Sequence, residues 1–178
     1  QPRMVRYLPD DVSGFRQGTL IPIFDGTPLG IGNHRLAFGS DGALWVGKTH
    51  LSWAGAEGLV KIVPSGLDRI FIVTSVKLEK SGDRHALRIS FSQPVASGAD
   101  GVKASRFNFL YHQDYGSPKT DQAVVAIDKP LVVAAGCEIV IGLTAKAGAI
   151  HHFDLSTLRT AAGQALEGKV IYYQASEL

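Results

Sequence analysis

The sequence contains one cysteine and no long apolar run, and each scarcity excludes a class of protein. A single cysteine, Cys137, rules out an internal disulfide, a Cys-x-x-Cys-His haem attachment and a zinc cluster of several thiolates. No apolar stretch approaches the ~20 residues that span a bilayer as a helix. Cys137 lies just before an apolar run, where we expect a buried and unreactive thiol.

Strong charge of one sign is also missing. The formal net charge is +2, and acidic and basic residues are interspersed. Because no basic stripe could track a phosphate backbone, nucleic acid is not an expected partner. The first residues, Gln1-Pro2-Arg3-Met4, lack the charged-then-apolar order of a signal peptide. This start is compatible with a signal removed before residue 1.

Chain breakers and β-forming residues are plentiful. Twenty glycines and eight prolines divide the chain into short segments rich in Val, Ile, Leu, Phe and Tyr. No segment has the periodicity of an amphipathic helix. The composition therefore predicts an all-β protein with many short strands.

The clearest local pattern is a hairpin over Arg35–Thr49. Leu36, Phe38, Leu44 and Val46 alternate on either side of a Gly-Ser-Asp-Gly turn, in which glycine tolerates a positive φ. The turn is followed by a strand and not by a helix, so it is not a phosphate-binding loop.

Residues 1–66 predict a unit similar in size to one propeller blade. We expect an irregular lead-in over residues 1–18, with at most a brief strand at Met4–Leu8, and then Thr19–Phe24, which Pro22 confines to an edge or a bulge. The hairpin and a strand at Leu59–Val63 follow. A single blade cannot cover both of its faces, so this propeller-blade-like sheet predicts further blades elsewhere.

Residues 67–178 predict a β-sandwich. Seven or eight short strands recur every ~8–12 residues with turn signals between them, which is typical of an immunoglobulin- or fibronectin-like fold. The chain lacks the Cys–Trp–Cys spacing of antibody domains. Within the predicted strand at 150–155, His151 and His152 should point to opposite faces and cannot chelate one metal together.

Several short motifs together resemble the last blade and following β-sandwich of secreted proteins similar to soluble quinoprotein glucose and sorbosone dehydrogenases. The resemblance runs from about residue 15 to residue 178. Its pieces are Arg35-Leu36-Ala37-Phe38-Gly39-x-Asp41-Gly42-x-Leu44-x-Val46-Gly47-x-Thr49, Trp53, Gly58-Leu59, Ser75-Val76-Lys77-Leu78, Tyr111-His112-x-x-Tyr115-Gly116-Ser117-Pro118, Leu158-Arg159-x-x-x-Gly163-x-x-Leu166 and Tyr172-Tyr173.

This resemblance implies a periplasmic or secreted protein but no catalytic residue in this chain. In that family the general base and most groups that hold substrate, quinone and calcium come from earlier blades. Asn33, His34, Arg35 and His50 are the residues expected to face a cofactor on the propeller axis. Pyrroloquinoline quinone and calcium are expected only if other blades complete the site, and no metal ligand is predicted here.

Each candidate residue also has a purely structural interpretation. Arg35 can pair with Asp25 or Asp41 at the surface, and His34 and His50 can be hydrogen-bonded loop residues. Trp53, Tyr111, His112 and Tyr115 are candidates for binding a sugar or a partner, or for covering the end of a core. His112 with Asp114 is a weaker candidate for an acid–base or metal pair.

Three functions remain open on the sequence alone. The chain is a non-catalytic interaction module of an extracytoplasmic propeller protein, completed by another chain or segment. Alternatively, it is part of an active quinone-dependent sugar oxidoreductase once the remaining blades are assembled, or a free-standing β-sandwich that binds carbohydrate.

Overall fold

The computed structural model describes residues 4–23, 29–50, 57–63, 65–66, 69–113 and 116–178. Within these ranges the chain forms thirteen strands in three sheets, together with short 3-10 turns at Ala99–Gly101 and Ala134–Gly136. The predicted all-β class is therefore confirmed. The strands are β1 (Met4–Val12), β2 (Phe15–Ile23), β3 (Asn33–Phe38), β4 (Leu44–Lys48), β5 (Leu59–Ile62), β6 (Val73–Ser81), β7 (Arg84–Phe91), β8 (Lys103–Phe109), β9 (Lys119–Val124), β10 (Leu131–Val133), β11 (Glu138–Leu143), β12 (Ala149–Asp154) and β13 (Val170–Ala175).

The chain divides into two compact units. Residues 1–5 and 22–69 form one, here called the meander unit, and residues 6–21 and 70–178 form the other, here called the sandwich unit. The division falls within β1 and β2. Residues 6–21 thus belong to the sandwich unit, whereas the sequence placed them with the first 66 residues.

The sandwich unit has the strand order of an immunoglobulin-type fold. One sheet has the order β10-β11-β7-β6 and the other the order β1-β2-β13-β12-β8-β9. With β6 named strand A, the first sheet reads D-E-B-A and the last four strands of the second read G-F-C-C′. The hairpin of β1 and β2 extends the second sheet beyond strand G.

Alternating apolar residues of the two sheets form the core of the sandwich unit. Leu87, Ile89, Ile141, Phe153 and Ile171 are each fully buried. They occupy every second position of β7, β11, β12 and β13, so one face of each strand lies inside. His151 lies on this inner face and is buried, while His152 lies on the outer face and is half-buried, which confirms the prediction that they point apart.

The expected irregular lead-in is wrong. β1 and β2 are nine residues each and turn at Ser13-Gly14, where both residues have positive φ. The breakers Pro9 and Gly18 lie inside the strands instead of between them. A Cβ on Gly18 would collide with the carbonyl oxygen of Leu8, so glycine permits a close approach of the two strands.

Of the two alternatives predicted for Thr19–Phe24, an edge strand or a bulge, the edge strand is wrong, because β2 lies between β1 and β13. Gly18, Thr19 and Leu20 pair with Gln174, Tyr173 and Tyr172. Pro22 follows this paired stretch, which explains how an interior strand tolerates it. Phe24 lies outside the described residues.

The meander unit contains an antiparallel sheet of order β3-β4-β5. The predicted hairpin is confirmed: Leu36 pairs with Val46 and Phe38 with Leu44. Its turn is closed by hydrogen bonds from Gly39 N to Ala43 O and from Gly42 N to Gly39 O, with Gly42 at a φ of 75°. The Asp41 carboxylate accepts the Ala43 N–H at 3.1 Å, which fixes the turn further.

Cys137 differs from its predicted state. The thiol is free and its residue is half-buried, directly after the 3-10 turn at Ala134–Gly136. The turn carries the chain out of the core before β11 begins at Glu138, so the residue before the apolar run is not itself in the core.

Candidate functional site

The residues predicted to face a cofactor lie at the start of β3 and just after β4. The side chain of Asn33 donates to Gly30 O at 3.0 Å and accepts a hydrogen bond from Lys48 Nζ, also at 3.0 Å. Lys48 additionally donates to the carbonyl oxygens of Leu29 and Ile31. Asn33 and Lys48 therefore hold the 29–33 loop closed, a role for Lys48 that sequence reasoning missed.

Arg35 and His34 contact each other on the surface. Arg35 Nη1 lies 3.3 Å from His34 Nε2, and both residues are exposed. The suggested pairing of Arg35 with Asp41 does not form, because Asp41 pairs with Lys61 at 2.7 Å. Asp25 lies outside the described residues. His50 is exposed beyond the end of β4.

This stretch does not fit a site for a quinone that carries several carboxylates. Residues 29–50 contain a single arginine, Arg35, and it is exposed beside an imidazole. The other cation of the stretch, Lys48, donates to three oxygen atoms of the 29–33 loop. Neither cation of residues 29–50 is therefore placed to bind the carboxylates of a quinone.

The second set of candidates is only partly described. Tyr111 is 100% exposed, and His112 is half-buried beside it. Trp53, Asp114 and Tyr115 lie outside the described residues, so their roles stay predictions. Over the described ranges, no group of three or more His, Cys, Asp or Glu residues is arranged to hold a metal ion.

One face of the meander sheet is apolar and only partly covered. On this face Val46 is buried against Met4 and Leu29, and Leu44, Val60 and Ile62 pack around them. Cross-strand pairing places Leu36 and Phe38 on the same face. These two side chains are 56% and 81% exposed, so the apolar face extends past the small cluster that covers its centre.

A second feature lies on the outer face of the six-stranded sheet, and we call it the outer groove. Its cavity of about 340 Å³ is lined by parts of β8, β9, β12 and β13. Its lining residues include Ser105, Phe107, Lys119, Gln122, His152 and Tyr172.

Aromatic contacts organise the outer groove. The rings of His152 and Tyr172 have centroids 5.0 Å apart, and Phe107 meets Tyr172 edge to face at 6.4 Å. Lys119 Nζ lies 4.0 Å from the centre of the Phe107 ring, a cation–π geometry. Ser105 Oγ lies 3.4 Å from Nδ1 of His152, and partial burial lowers the pKa of that imidazole.

Sequence reasoning missed the outer groove. His151-His152 and Tyr172-Tyr173 are visible as neighbouring pairs in the sequence, but the sequence does not show that their two strands lie side by side. The register supplies the match, because His152 lies opposite Tyr172 and also opposite Ser105. Two alternating strands with polar aromatics in outward positions were the available signal.

Comparison with known proteins gave no identification. The chain matched no protein-family model, no curated protein and no solved structure. Resemblance to the quinoprotein dehydrogenases therefore remains a prediction from short motifs. No helix in the described ranges is long and apolar enough to cross a membrane.

Proposed function

We propose that this chain is a non-catalytic interaction module, the C-terminal part of an extracytoplasmic propeller protein. The observation that carries the proposal is the exposed apolar edge formed by Leu36 and Phe38 on the meander sheet. Leu36 and Phe38 lie on the same face as the small buried cluster around Val46, so together they extend one apolar patch of the kind that a partner protein covers.

The proposed occupant of this face is another antiparallel sheet with an apolar face, as in an adjacent propeller blade. Propeller blades have four strands and pack face to face around an axis. The described sheet has three strands, with β3 and β5 at its edges. A fourth strand would pair with β3 or β5 at a sheet edge, and an adjacent blade would pack on the apolar face. Either would come from a preceding segment or from another chain.

The function of such a module is to complete and anchor the assembly. The groups available at the start of β3 are an exposed Arg35–His34 pair and an Asn33 that is already bonded within its loop. None of these three residues forms an acid–base pair held in place by a further hydrogen-bonding group. This arrangement supports an assembly role over a catalytic one.

Replacing Phe38 with serine tests the proposal. The full chain, tagged and expressed in the cells that produce it, is expected to copurify with a polypeptide that contains four-stranded β repeats. Phe38→Ser should reduce the recovery of that polypeptide about tenfold or more, since a buried aromatic anchor contributes about 2 kcal/mol or more and about 1.4 kcal/mol corresponds to a tenfold change in affinity.

Phe15→Ser is the matched control for this experiment. Phe15 is also an exposed phenylalanine, but it lies in the sandwich unit. Native mass spectrometry of the purified species gives mass and composition together. A monomer of 19.0 kDa in every preparation, or equal loss of the partner in both variants, would contradict the proposal.

A further inference from the structure

The outer groove is built on a continuous cross-strand row. Paired positions run from Leu20 through Tyr172, His152 and Ser105 to Val124, and all five side chains share the outer face. Cross-strand neighbours on one face contact each other directly. The row therefore presents an aromatic centre between a hydroxyl group on one side and an aliphatic side chain on the other.

A β-bulge shapes one wall of the groove. Between the pairs Arg106–Ala123 and Asn108–Thr120, β9 contributes two residues opposite the single residue Phe107. The first of these, Asp121, has a φ of 51°, and its carboxylate accepts hydrogen bonds from Arg106 and Lys146. Bulges bend the strand that carries them and re-aim side chains, commonly beside binding sites.

The two outer faces of the sandwich unit differ in chemistry. On the four-stranded sheet, Arg88 lies between Glu79 and Glu138 with N–O distances of 2.9 Å to each, a charged ladder typical of a solvated face. The pKa of Arg88 is accordingly raised by these two carboxylates. Among the described residues that line the groove on the other sheet there is no carboxylate, and aromatic rings lie at the centre of this groove.

We propose that the outer groove binds a saccharide ring, with Tyr172 as the stacking platform and Ser105, Gln122 and Lys119 as hydrogen-bonding groups at its rim. A sugar ring has an apolar face for an aromatic side chain and hydroxyl groups for polar neighbours. A wholly apolar ligand would remove water from the polar groups at the rim without replacing their hydrogen bonds, which costs free energy. The cavity of about 340 Å³ is at the lower end of small-molecule sites.

This inference concerns the sandwich unit and does not rest on the proposed function, which concerns the meander unit. Lys119 supplies a positive charge and no carboxylate lies among the lining residues that the structure describes, so the groove is compatible with both neutral and acidic sugars. Neutral and acidic sugars share the pyranose ring. Titration with neutral oligosaccharides and with a uronate oligosaccharide distinguishes between these two classes of ligand.

Calorimetric titration of the full chain with cellohexaose, xylohexaose and trigalacturonate tests the inference. At least one probe is expected to bind with a Kd below about 1 mM, and Tyr172→Ala should raise that Kd about tenfold or more. Tyr111→Ala is the matched control, because Tyr111 is fully exposed and does not line the groove. This control should leave the Kd within about twofold of the unsubstituted chain.

Two rim variants keep the inference testable if Tyr172→Ala unfolds. Lys119 and Gln122 are exposed, so Lys119→Met and Gln122→Ala should preserve the fold while weakening the binding several-fold. Preferential loss of trigalacturonate binding in Lys119→Met would assign the acidic sugar. Absence of binding by all three probes at about 10 mM, tighter binding of adenosine monophosphate, or an unchanged Kd in all groove variants would overturn the inference.

Discussion

Replacing Phe153 with alanine is expected to lower the free energy of unfolding of the sandwich unit by about 3–5 kcal/mol. Phe153 is fully buried in β12 and pairs with Ile171 of β13 and Ala104 of β8. Truncation removes a large apolar surface from the core and leaves a cavity that flanking strands cannot fill without breaking their register. The corresponding fall in melting temperature is on the order of 10 °C.

Intrinsic fluorescence makes this measurement specific to one unit. The five tyrosines all belong to the sandwich unit, and both tryptophans belong to the meander unit. Urea unfolding followed by tyrosine emission should therefore show the loss of stability. Phe15→Ala is the control, because Phe15 is 56% exposed, and a loss of equal size in that variant would contradict the assignment of the core.

Replacing Asp10 with alanine is expected to destabilise the sandwich unit by about 2–4 kcal/mol. Asp10 is only 3% exposed, and its Oδ2 accepts hydrogen bonds from Tyr173 Oη at 2.7 Å and from Leu78 N at 2.9 Å. Tyr173 belongs to the six-stranded sheet and Leu78 to the four-stranded sheet. The carboxylate thus links both sheets and satisfies a backbone N–H of the edge strand β6.

Alanine at position 10 would leave buried donors without an acceptor, and this is the main source of the expected loss. Burial and the bond to Asp10 raise the pKa of Tyr173 above its usual range, so the phenol stays protonated and needs that acceptor. Gln17 donates to the same phenol oxygen at 2.8 Å and holds the chain end through Ser176 N and Glu177 N.

Asp11→Ala is the matched control for Asp10→Ala. Asp11 is the adjacent residue, and its carboxylate pairs with Arg16 at 3.2 Å where both side chains are exposed. An exposed ion pair contributes little, so this substitution should change stability by less than about 1 kcal/mol. Similar urea midpoints for the two variants would contradict the role given to Asp10.

Local patterns predicted the fold where the partners are close in sequence. The hairpin around Gly39–Ala43 combines alternating apolar residues with a turn that needs a positive φ, and both signals lie within a few residues. The same local signal is present in β7 and β11, because their inner apolar residues alternate without interruption.

The first hairpin could not be predicted because its stability comes from distant residues. Pro9 and Gly18 are local signals against a strand, yet β2 pairs with β13, which is more than a hundred residues away in the chain. Asp10, Gln17 and Tyr173 form the contacts that favour this pairing. A single window of sequence contains none of that information.

The candidate sites also depend on contacts between residues that are distant in the sequence. The resemblance places Asn33, His34 and Arg35 at a strand end facing the propeller axis, whereas the structure shows Asn33 closing its own loop. The outer groove depends on which strand lies beside which, so neither Tyr172 nor His152 alone predicted it.

Amide hydrogen exchange of the isolated chain, followed by mass spectrometry, tests the central claim most directly. A three-stranded sheet with Leu36 and Phe38 exposed has little burial to protect its amides. We expect the amides of β3 and β5 in the monomer to exchange about a hundredfold faster or more than those of β12, and to slow down in the native assembly. Protection of β3 and β5 equal to that of β12 in a strictly monomeric chain would contradict it.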